Sequence, residues 1–395
     1  MERMGSPTSG VEQSQVLVVD DNRINRSLLS ALLERAGFLY VKAAEDGLQA
    51  LKVMETFAPD LVLLDLMMPN LDGFETCRRL RADPRFQDIP VLAQSSLARS
   101  EDRVRAFEAG VTDYVTKPIN ALEFVARVRI HLEKRAMIAR LKEYRRKTEA
   151  ELALARAMQE QMLPAPQTYK RIAEKYGLEI DAHFAPSSEL GGDYWDIRAD
   201  SRGRLVLWIV DFSGHGVGSA LNTFRLHTLL RAWDICDFDP ATFLEEVNQK
   251  LKPLLPPGQF ATMLAGIVDP AQKIFTYASG AAPRPLTWRK GEPSVYQDAS
   301  GIPLGILGSV HYETRVLPFS PGDELLFYSD AATELQVSEH EILDEEGFQG
   351  LVDALRNQNE SGESLPVRLR YGLDSRGSLD DDLTLLHVRW ETSAG

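Results

Sequence analysis

The chain has 395 residues, which at roughly 100–200 residues per domain predicts two or three domains. Hydrophobic residues at 44% and charged residues at 26% are ordinary globular usage and exclude a wholly disordered chain. With 44 Lys and Arg against 58 Asp and Glu, the net charge of −14 argues against a chain-wide nucleic-acid binder.

Residues 1–14 open the chain with a polar, Gly- and Ser-containing stretch that has no signal-peptide core, and read as a disordered leader. Apolar runs at 16–19, 39–41, 61–64, 91–93 and 113–115 then alternate with helical spacing such as Leu28, Leu32 and Leu33. That alternation predicts an α/β domain over 15–131, a doubly wound (βα)5 parallel sheet with its ligand site beyond the carboxyl ends of the strands. From Ala121 to Met162 no Pro or Gly interrupts a helical pattern, which Pro164 and Pro166 stop. Residues 132–165 are therefore expected to form a linker helix. Between Arg127 and Lys147 there are 9 Lys or Arg against 2 Glu, a solvated face or a docking surface for an acidic partner. Leu141, Tyr144, Thr148, Leu152, Ala155 and Met162 give a heptad-like seam that suggests helix pairing and a homodimer. Past Pro166, strand-like runs at 205–210, 263–268, 274–278, 324–328 and 384–388 mix with helical patterns at 219–233 and 240–251. Residues 166–395 thus predict an α+β domain with αββα layers.

Two acidic constellations carry chemistry. The strand at 16–19 ends in Asp20 and Asp21, and that at 61–64 ends in Asp65. In a parallel sheet all three carboxylates share one rim, where a divalent cation relieves their repulsion. The same rim receives Ser95 and Lys117, so a carboxylate nucleophile, a hydroxyl, a lysine and a cation are set for a phosphoryl group. Farther on, Asp193 follows Gly191 and Gly192, Asp211 precedes a Gly-rich turn, Asp330 ends a strand, and Asp380, Asp381 and Asp382 precede one. Strand-end carboxylates from several strands point to oxygen ligation of Mg²⁺ or Mn²⁺ and to metal-assisted attack of water on phosphorus.

The first constellation, with Val-Val-Asp-Asp-Asn at 18–22, Leu-Asp-Leu-Met-Met-Pro at 64–69, Ser95 and Asp-Tyr-Val-Thr-Lys-Pro at 113–118, resembles the receiver domain of two-component response regulators. The resemblance implies phosphorylation on Asp65 by a sensor histidine kinase or phosphotransfer protein. It also implies Mg²⁺ held by Asp21, Asp65 and the Met67 carbonyl with Asp20 behind or water-linked, phosphoryl contacts from Ser95 and Lys117, and Tyr114 as switch aromatic. Ser96 stands where that family usually has Ala. The second constellation resembles the PPM family of metal-dependent Ser/Thr phosphatases (the PP2C type), in its bacterial SpoIIE-like branch. It implies Asp193, Asp211, Asp330 and Asp381 as the catalytic, metal-binding acids, with Asp211 bridging two Mn²⁺ or Mg²⁺ ions and the Phe212 carbonyl as a further ligand. Ala331 departs from the usual Gly.

The whole arrangement resembles response regulators that control the stationary-phase general-stress sigma factor. It implies a phosphoserine or phosphothreonine substrate such as an anti-sigma antagonist. The alternative is a non-enzymatic adaptor that binds the sigma factor and delivers it to a Clp-type protease; the retained acids favour the enzyme. No helix-turn-helix signal follows the first domain, so DNA is not expected as a partner. Neither is a membrane, since no run of about 18 apolar residues exists. The two cysteines, Cys77 and Cys236, cannot form a disulfide framework or a cysteine-rich zinc site, which suits a cytoplasmic location.

Overall fold

The computed structural model describes residues 10–95, 100–214, 216–338, 341–356 and 362–391. The chain divides into two compact units, Met1–Thr148 and Glu149–Gly395.

In the first unit, β1 (Gln15–Val19), α1 (Arg23–Arg35), β2 (Tyr40–Ala44), α2 (Gly47–Met54), β3 (Leu61–Asp65), α3 (Gly73–Ala82), β4 (Val91–Ser95), α4 (Ser100–Glu108) and β5 (Asp113–Thr116) alternate. The strands form a parallel sheet in the order β2-β1-β3-β4-β5. Strands β1 and β3 are apolar without alternation because both faces are covered. Leu17, Val19, Val62, Leu64 and Val91 pack with Ala50, Met54, Phe74, Cys77 and Leu80 of α2 and α3. Val16, Val18, Leu61, Leu63 and Leu92 pack on the other side with Leu29 and Leu33 of α1 and with Phe124, Val128 and Leu132. Asn22, Asp46 and Asp72 cap the three helices with side-chain oxygens that accept from backbone N–H groups.

Two expectations change here. Within the expected leader, 1–9 lies outside the described residues, but Gly10–Gln13 forms a 3-10 turn. Val11 is buried in the core, and Arg129 Nη1 donates to Glu12 Oε1 at 2.9 Å, so this stretch belongs to the domain. The second strand runs Tyr40–Ala44 and not 39–41, because it is a sheet edge whose exposed Lys42 interrupts the apolar signal.

Helix α5 (Ala121–Glu160) is continuous for 40 residues, about 60 Å at a rise of 1.5 Å per residue. Asn120 Oδ1 starts it by accepting from the backbone N–H groups of Leu122 and Glu123. It stops two residues short of the expected Met162.

The second unit follows the end of α5 with α6 (Pro166–Glu174), β6 (Leu178–Ala185), β7 (Tyr194–Ala199), β8 (Leu205–Phe212), α7 (Val217–Arg231), α8 (Pro240–Leu251), β9 (Ala261–Asp269) and β10 (Ile274–Gly280). Next come β11 (Leu286–Arg289), β12 (Val295–Tyr296), β13 (Arg315–Pro318), β14 (Asp323–Tyr328), β15 (Leu335–Ser338), β16 (Glu341–Leu343), α9 (Glu345–Arg356), α10 (Leu365–Asp374) and β17 (Leu383–Trp390). Two antiparallel sheets form, β13-β10-β9-β8-β7 and β12-β11-β14-β17-β6, beside a β15-β16 ribbon. Leu207, Leu264 and Phe275 of the first sheet meet Ile180, Phe327 and Leu386 of the second in one core. The outer face of the first sheet (Val206, Trp208, Val210) is covered by Leu226, Leu230, Phe243 and Val247 of α7 and α8. That of the second (Leu326, Tyr328, Leu385) is covered by Phe348, Val352, Leu369 and Leu373 of α9 and α10. The layering is αββα, and Trp195 and Trp208 are core anchors. Among the described residues no helix is long and apolar enough to cross a membrane.

Candidate functional sites

In the first unit the strand ends gather Asp20, Asp21 and Asp65. Each offers a carboxylate oxygen within 4.8 Å of the others, and no other trio of metal-ligating side chains among the described residues is as tight. Asp20 is fully buried, Asp65 buried and Asp21 exposed, so the group opens to solvent on one side. Lys117 Nζ lies 2.6 Å from Asp65 Oδ2 and 3.2 Å from Asp20 Oδ2. The backbone N–H of Met67 donates to Asp65 Oδ1 at 3.2 Å. Burial raises the Asp65 carboxyl above its ordinary value against the hydrogen bond from Lys117. Burial also opposes the Lys117 charge, but Asp65 and Asp20 outweigh it and lift the ammonium above its usual range. Asn25 Nδ2 donates to both oxygens of Asp20, and Arg26 Nη1 donates to the carbonyls of Asp20 and Asp21 at 2.6 and 2.9 Å. Neither Asn25 nor Arg26 was found from the sequence, although both lie one turn into the helix after the acidic pair.

Ser95 ends β4 opposite Thr116. Ser96, singled out as a departure, lies outside the described residues. Tyr114 is half-buried on β5, with Arg103 Nη1 donating to its hydroxyl at 3.2 Å and the Phe107 ring edge-on at 6.1 Å.

In the second unit, β8 delivers Asp211, β14 leads into Asp330, Asp381 and Asp382 precede β17, and Asp193 follows the Gly191-Gly192 turn before β7. Asp193 is 1% exposed; its Oδ2 accepts from Thr384 Oγ1 at 2.6 Å, and its buried Oδ1 has no hydrogen-bond partner. Burial, then the charges of Asp330 and Asp381, push the Asp211 carboxyl up to about 8. Burial, Glu334 and Asp381 push Asp330 to about 6. Burial and Asp211 together raise Asp193. The four acids sense one another through Asp211, yet no three of them meet the 4.8 Å criterion that the first unit satisfies. Asp330 and Asp381 also line a cleft of about 190 Å³ with Glu334, Gln336 and Asp380.

The turn that carries Asp193 is packed tightly. A Cβ at Gly192 would lie 3.0 Å from the Phe212 carbonyl oxygen, so only glycine lets that strand end approach the turn so closely. Asp382, 2% exposed, accepts from Gly192 N at 2.5 Å and from Ser187 N at 2.7 Å, while Thr223 Oγ1 donates to Gly192 O at 2.8 Å. Ala331 is buried in the 3-10 turn after β14, where its methyl joins the α9 and α10 core. The sequence reading named Asp382 only as part of the acidic triplet, with the ligand role given to Asp381, and it missed Thr384 and Glu334; Thr384 reads as an ordinary strand residue. Asp193 Oδ1, buried without a hydrogen-bond partner while Asp211 lies close enough to raise its carboxyl, marks a site that fits divalent cations.

The comparisons with known proteins agree with this division. The family model of the response regulator receiver domain matches residues 16–129, and that of stage II sporulation protein E (SpoIIE) matches residues 201–391. The chain is 42% identical over 120 residues to the DNA-binding dual master transcriptional regulator RpaA of Synechocystis sp., which covers 30% of this chain and 49% of RpaA. It is 43% identical over 116 residues to the response regulator PleD of Caulobacter vibrioides, covering 29% and 25%. An uncharacterized 14.6 kDa protein of Leptolyngbya boryana is 40% identical over 113 residues, covering 29% of this chain and 86% of that protein. The chain thus spans half or less of the length of RpaA and PleD. Among solved structures, the SiaA-PP2C domain of Pseudomonas aeruginosa aligns at a TM-score of 0.54 with 18% identity, covering 63% of this chain and 98% of that one; the likeness is one of fold. The chain thus joins a response regulator receiver domain to a SpoIIE-type, PP2C-like domain.

Proposed function

We propose that this chain is a metal-dependent protein Ser/Thr phosphatase controlled by phosphorylation of its receiver on Asp65. The observation that carries the catalytic half is Asp211, a buried carboxyl pushed up by burial and by the charges of Asp330 and Asp381. Negative charge gathered without a protein cation is stable at neutral pH only as protonated acids or around bound metal. Asp193, Asp211, Asp330, Asp381 and the Phe212 carbonyl would hold two Mn²⁺ or Mg²⁺ ions. When bound, such ions supply charge neutralisation and an activated water for attack at phosphorus. Thr384 orients Asp193, and Asp382 fixes the Gly192 amide so that the turn keeps its distance from Phe212.

In the receiver, Asp65 would accept the phosphoryl group, Asp20, Asp21 and the Met67 carbonyl would hold Mg²⁺ beside it, and Lys117 would balance the added charge of about −1.5 to −2. Ser95 and Tyr114 would follow the phosphoryl group, and α5, which starts four residues after Lys117, is the covalent route into the second unit. The resemblance to regulators of the general-stress sigma factor supports a phosphoserine or phosphothreonine substrate in a sigma-factor circuit.

The test uses the full chain with Mn²⁺ and p-nitrophenyl phosphate, with and without beryllofluoride as an Asp65 phosphoryl mimic. Wild type should turn over at a rate that the mimic changes, and Asp211→Ala should remove turnover. Equal residual rates in the two proteins, together with capture of a sigma factor, would reject the enzyme in favour of an adaptor.

A further inference from the structure

Helix α5 ends on an inverted pattern of burial. Between 149 and 168 the one buried residue is polar, Gln159 at 2% exposure, while the neighbouring Leu154 and Met158 are 66% and 53% exposed. An uncharged side chain with four hydrogen-bonding capacities is taken out of water at that position only if the protein meets them. Gln159 meets two of them on a single residue. Its Nε2 donates to Gly191 O at 2.5 Å, and its Oε1 accepts from Gly191 N at 3.0 Å.

Such a two-point pairing fixes the Gly191 backbone as a neighbouring strand would, setting where both its N–H and its C=O point. The next residue is fixed in the same manner by Asp382 and Thr223, and the one after it is Asp193, held by Thr384. Little slack remains in this turn: a Cβ at Gly191 would lie 3.0 Å from Asp382 Oδ2 and 3.1 Å from Phe184 Cζ. Apolar anchoring of the same chain segment is supplied separately by Met162 and Leu163, which pack against the cores on either side of the first sheet. The amide is therefore not needed to attach the helix end.

We infer that Gln159 is a positioning residue for the second unit's site: through Gly191 it sets the placement of Asp193, and so the affinity of the carboxylate cluster for divalent metal. The inference rests on the phosphatase reading above and adds to it a residue outside the carboxylate set. Gln159 touches neither metal nor substrate, so its removal acts on metal occupancy and turnover and not on substrate affinity. It also confines what the helix end can do, since a displacement of Gln159 along or about the helix axis breaks the pairing while Leu163 can still pack.

The test compares full-length wild type with Gln159→Met, which keeps the length and apolar bulk of the side chain, Gln159→Asn, which keeps the amide one methylene short, and Leu163→Ala. Direct Mn²⁺ binding is read by electron paramagnetic resonance of the free ion, and kcat and KM for p-nitrophenyl phosphate are measured at fixed Mn²⁺. Gln159→Met and Gln159→Asn should weaken Mn²⁺ binding or turnover by about 10–100-fold, the range for groups that orient metal ligands. KM should stay within about twofold, because uniform substrate binding is untouched. Leu163→Ala should lower the melting temperature and leave Mn²⁺ affinity as in wild type. If Gln159→Met binds Mn²⁺ and turns over like wild type, or if Leu163→Ala reproduces its losses, the positioning role is overturned while the phosphatase reading stands. A wild-type chain that binds no Mn²⁺ in the second unit would overturn both.

Discussion

Replacing Asp211 by Asn should stabilise the metal-free protein while removing its activity. The Asp211 carboxyl is pushed up to about 8 from an ordinary 3.8. Because the folded value lies above the unfolded one, the group is neutral in both states below pH 3.8 and contributes nothing to the pH dependence there. Between 3.8 and about 8 the unfolded chain releases a proton that the folded chain retains, so metal-free stability falls as pH rises through that window. At about 1.4 kcal/mol per pH unit, this one carboxyl accounts for at most about 4 kcal/mol at pH 7. Sharing of the proton with Asp193 brings the working figure to about 2 kcal/mol. Asp211→Asn keeps the shape and discards the charge, so in EDTA near neutral pH its second-unit transition should melt about 4–8 °C above wild type. Mn²⁺ should then invert the ranking, since a ligand that binds only the folded state stabilises the protein that can hold it. Scanning calorimetry of the full chain across about pH 5 to 8, with EDTA and with Mn²⁺, reads both effects. A variant that melts below wild type in EDTA by the same margin at every pH would refute the clustering of Asp211 with Asp330 and Asp381.

Further outcomes follow from the same geometry. Mn²⁺ binding near pH 7 should release about one proton per chain, measured calorimetrically in buffers of different ionisation enthalpy, because Asp211 must give up its proton to become a ligand; metal binding without release would contradict its raised titration. Thr384→Val removes the hydrogen bond to Asp193 Oδ2 at constant volume and should cost about 10–100-fold in turnover or metal affinity, with wild-type rates counting against any role for that bond. Asp65→Asn should take up no phosphoryl group from acetyl phosphate in a phosphate-affinity gel, and uptake at the wild-type level would displace Asp65 as the acceptor. Phe348→Ala empties a fully buried site in the α9 and α10 core and should cost about 3–5 kcal/mol in the second unit. Phosphoryl uptake by the receiver should survive it; a joint loss would mean the two units do not fold separately.

How legible each part was in the sequence depends on how locally its physics is encoded. Strands β1, β3 and β4 are buried on both faces, so continuous apolar runs announce them, and the receiver residues sit at their ends in contiguous motifs. Strand β6 was missed because it is a sheet edge carrying Glu179, Asp181 and His183 among its apolar residues; Lys170 pairs with Asp181 and Arg389 with Glu179, so its outward charges are satisfied only by the tertiary fold. Helices α9 and α10 and the short strands β11, β12 and β13 also went unread. The four second-unit aspartates were readable one at a time, as acids after strands or glycine turns. Their supports were not: Gln159 reaches Gly191 across 32 positions, and Thr384 reaches Asp193 across 191. No window along the chain contains both members of either pair, and neither Gln nor Thr is unusual where it stands.

The two acidic sites meet one electrostatic problem in opposite ways, and the difference matches the work proposed for each. In the receiver, Lys117 sits 2.6 Å from Asp65 and 3.2 Å from Asp20, a covalently supplied cation whose hydrogen bond works against the effect of burial on Asp65. If Asp65 is the phosphoryl acceptor as proposed, the lysine beside it is already placed to meet the new negative charge. At Asp211 the causes that raise its carboxyl are burial and neighbouring acids, Asp330 and Asp381 first, and on the proposed reading a divalent ion would take the place of its proton. A resident lysine there would compete with metal for the same oxygens and weaken the site it neutralised. The receiver therefore carries its counter-charge with it, whereas the second unit's cluster would, on the proposed reading, exchange protons for metal, and it is held by neutral partners, Thr384 on Asp193 and Gln159 on Gly191.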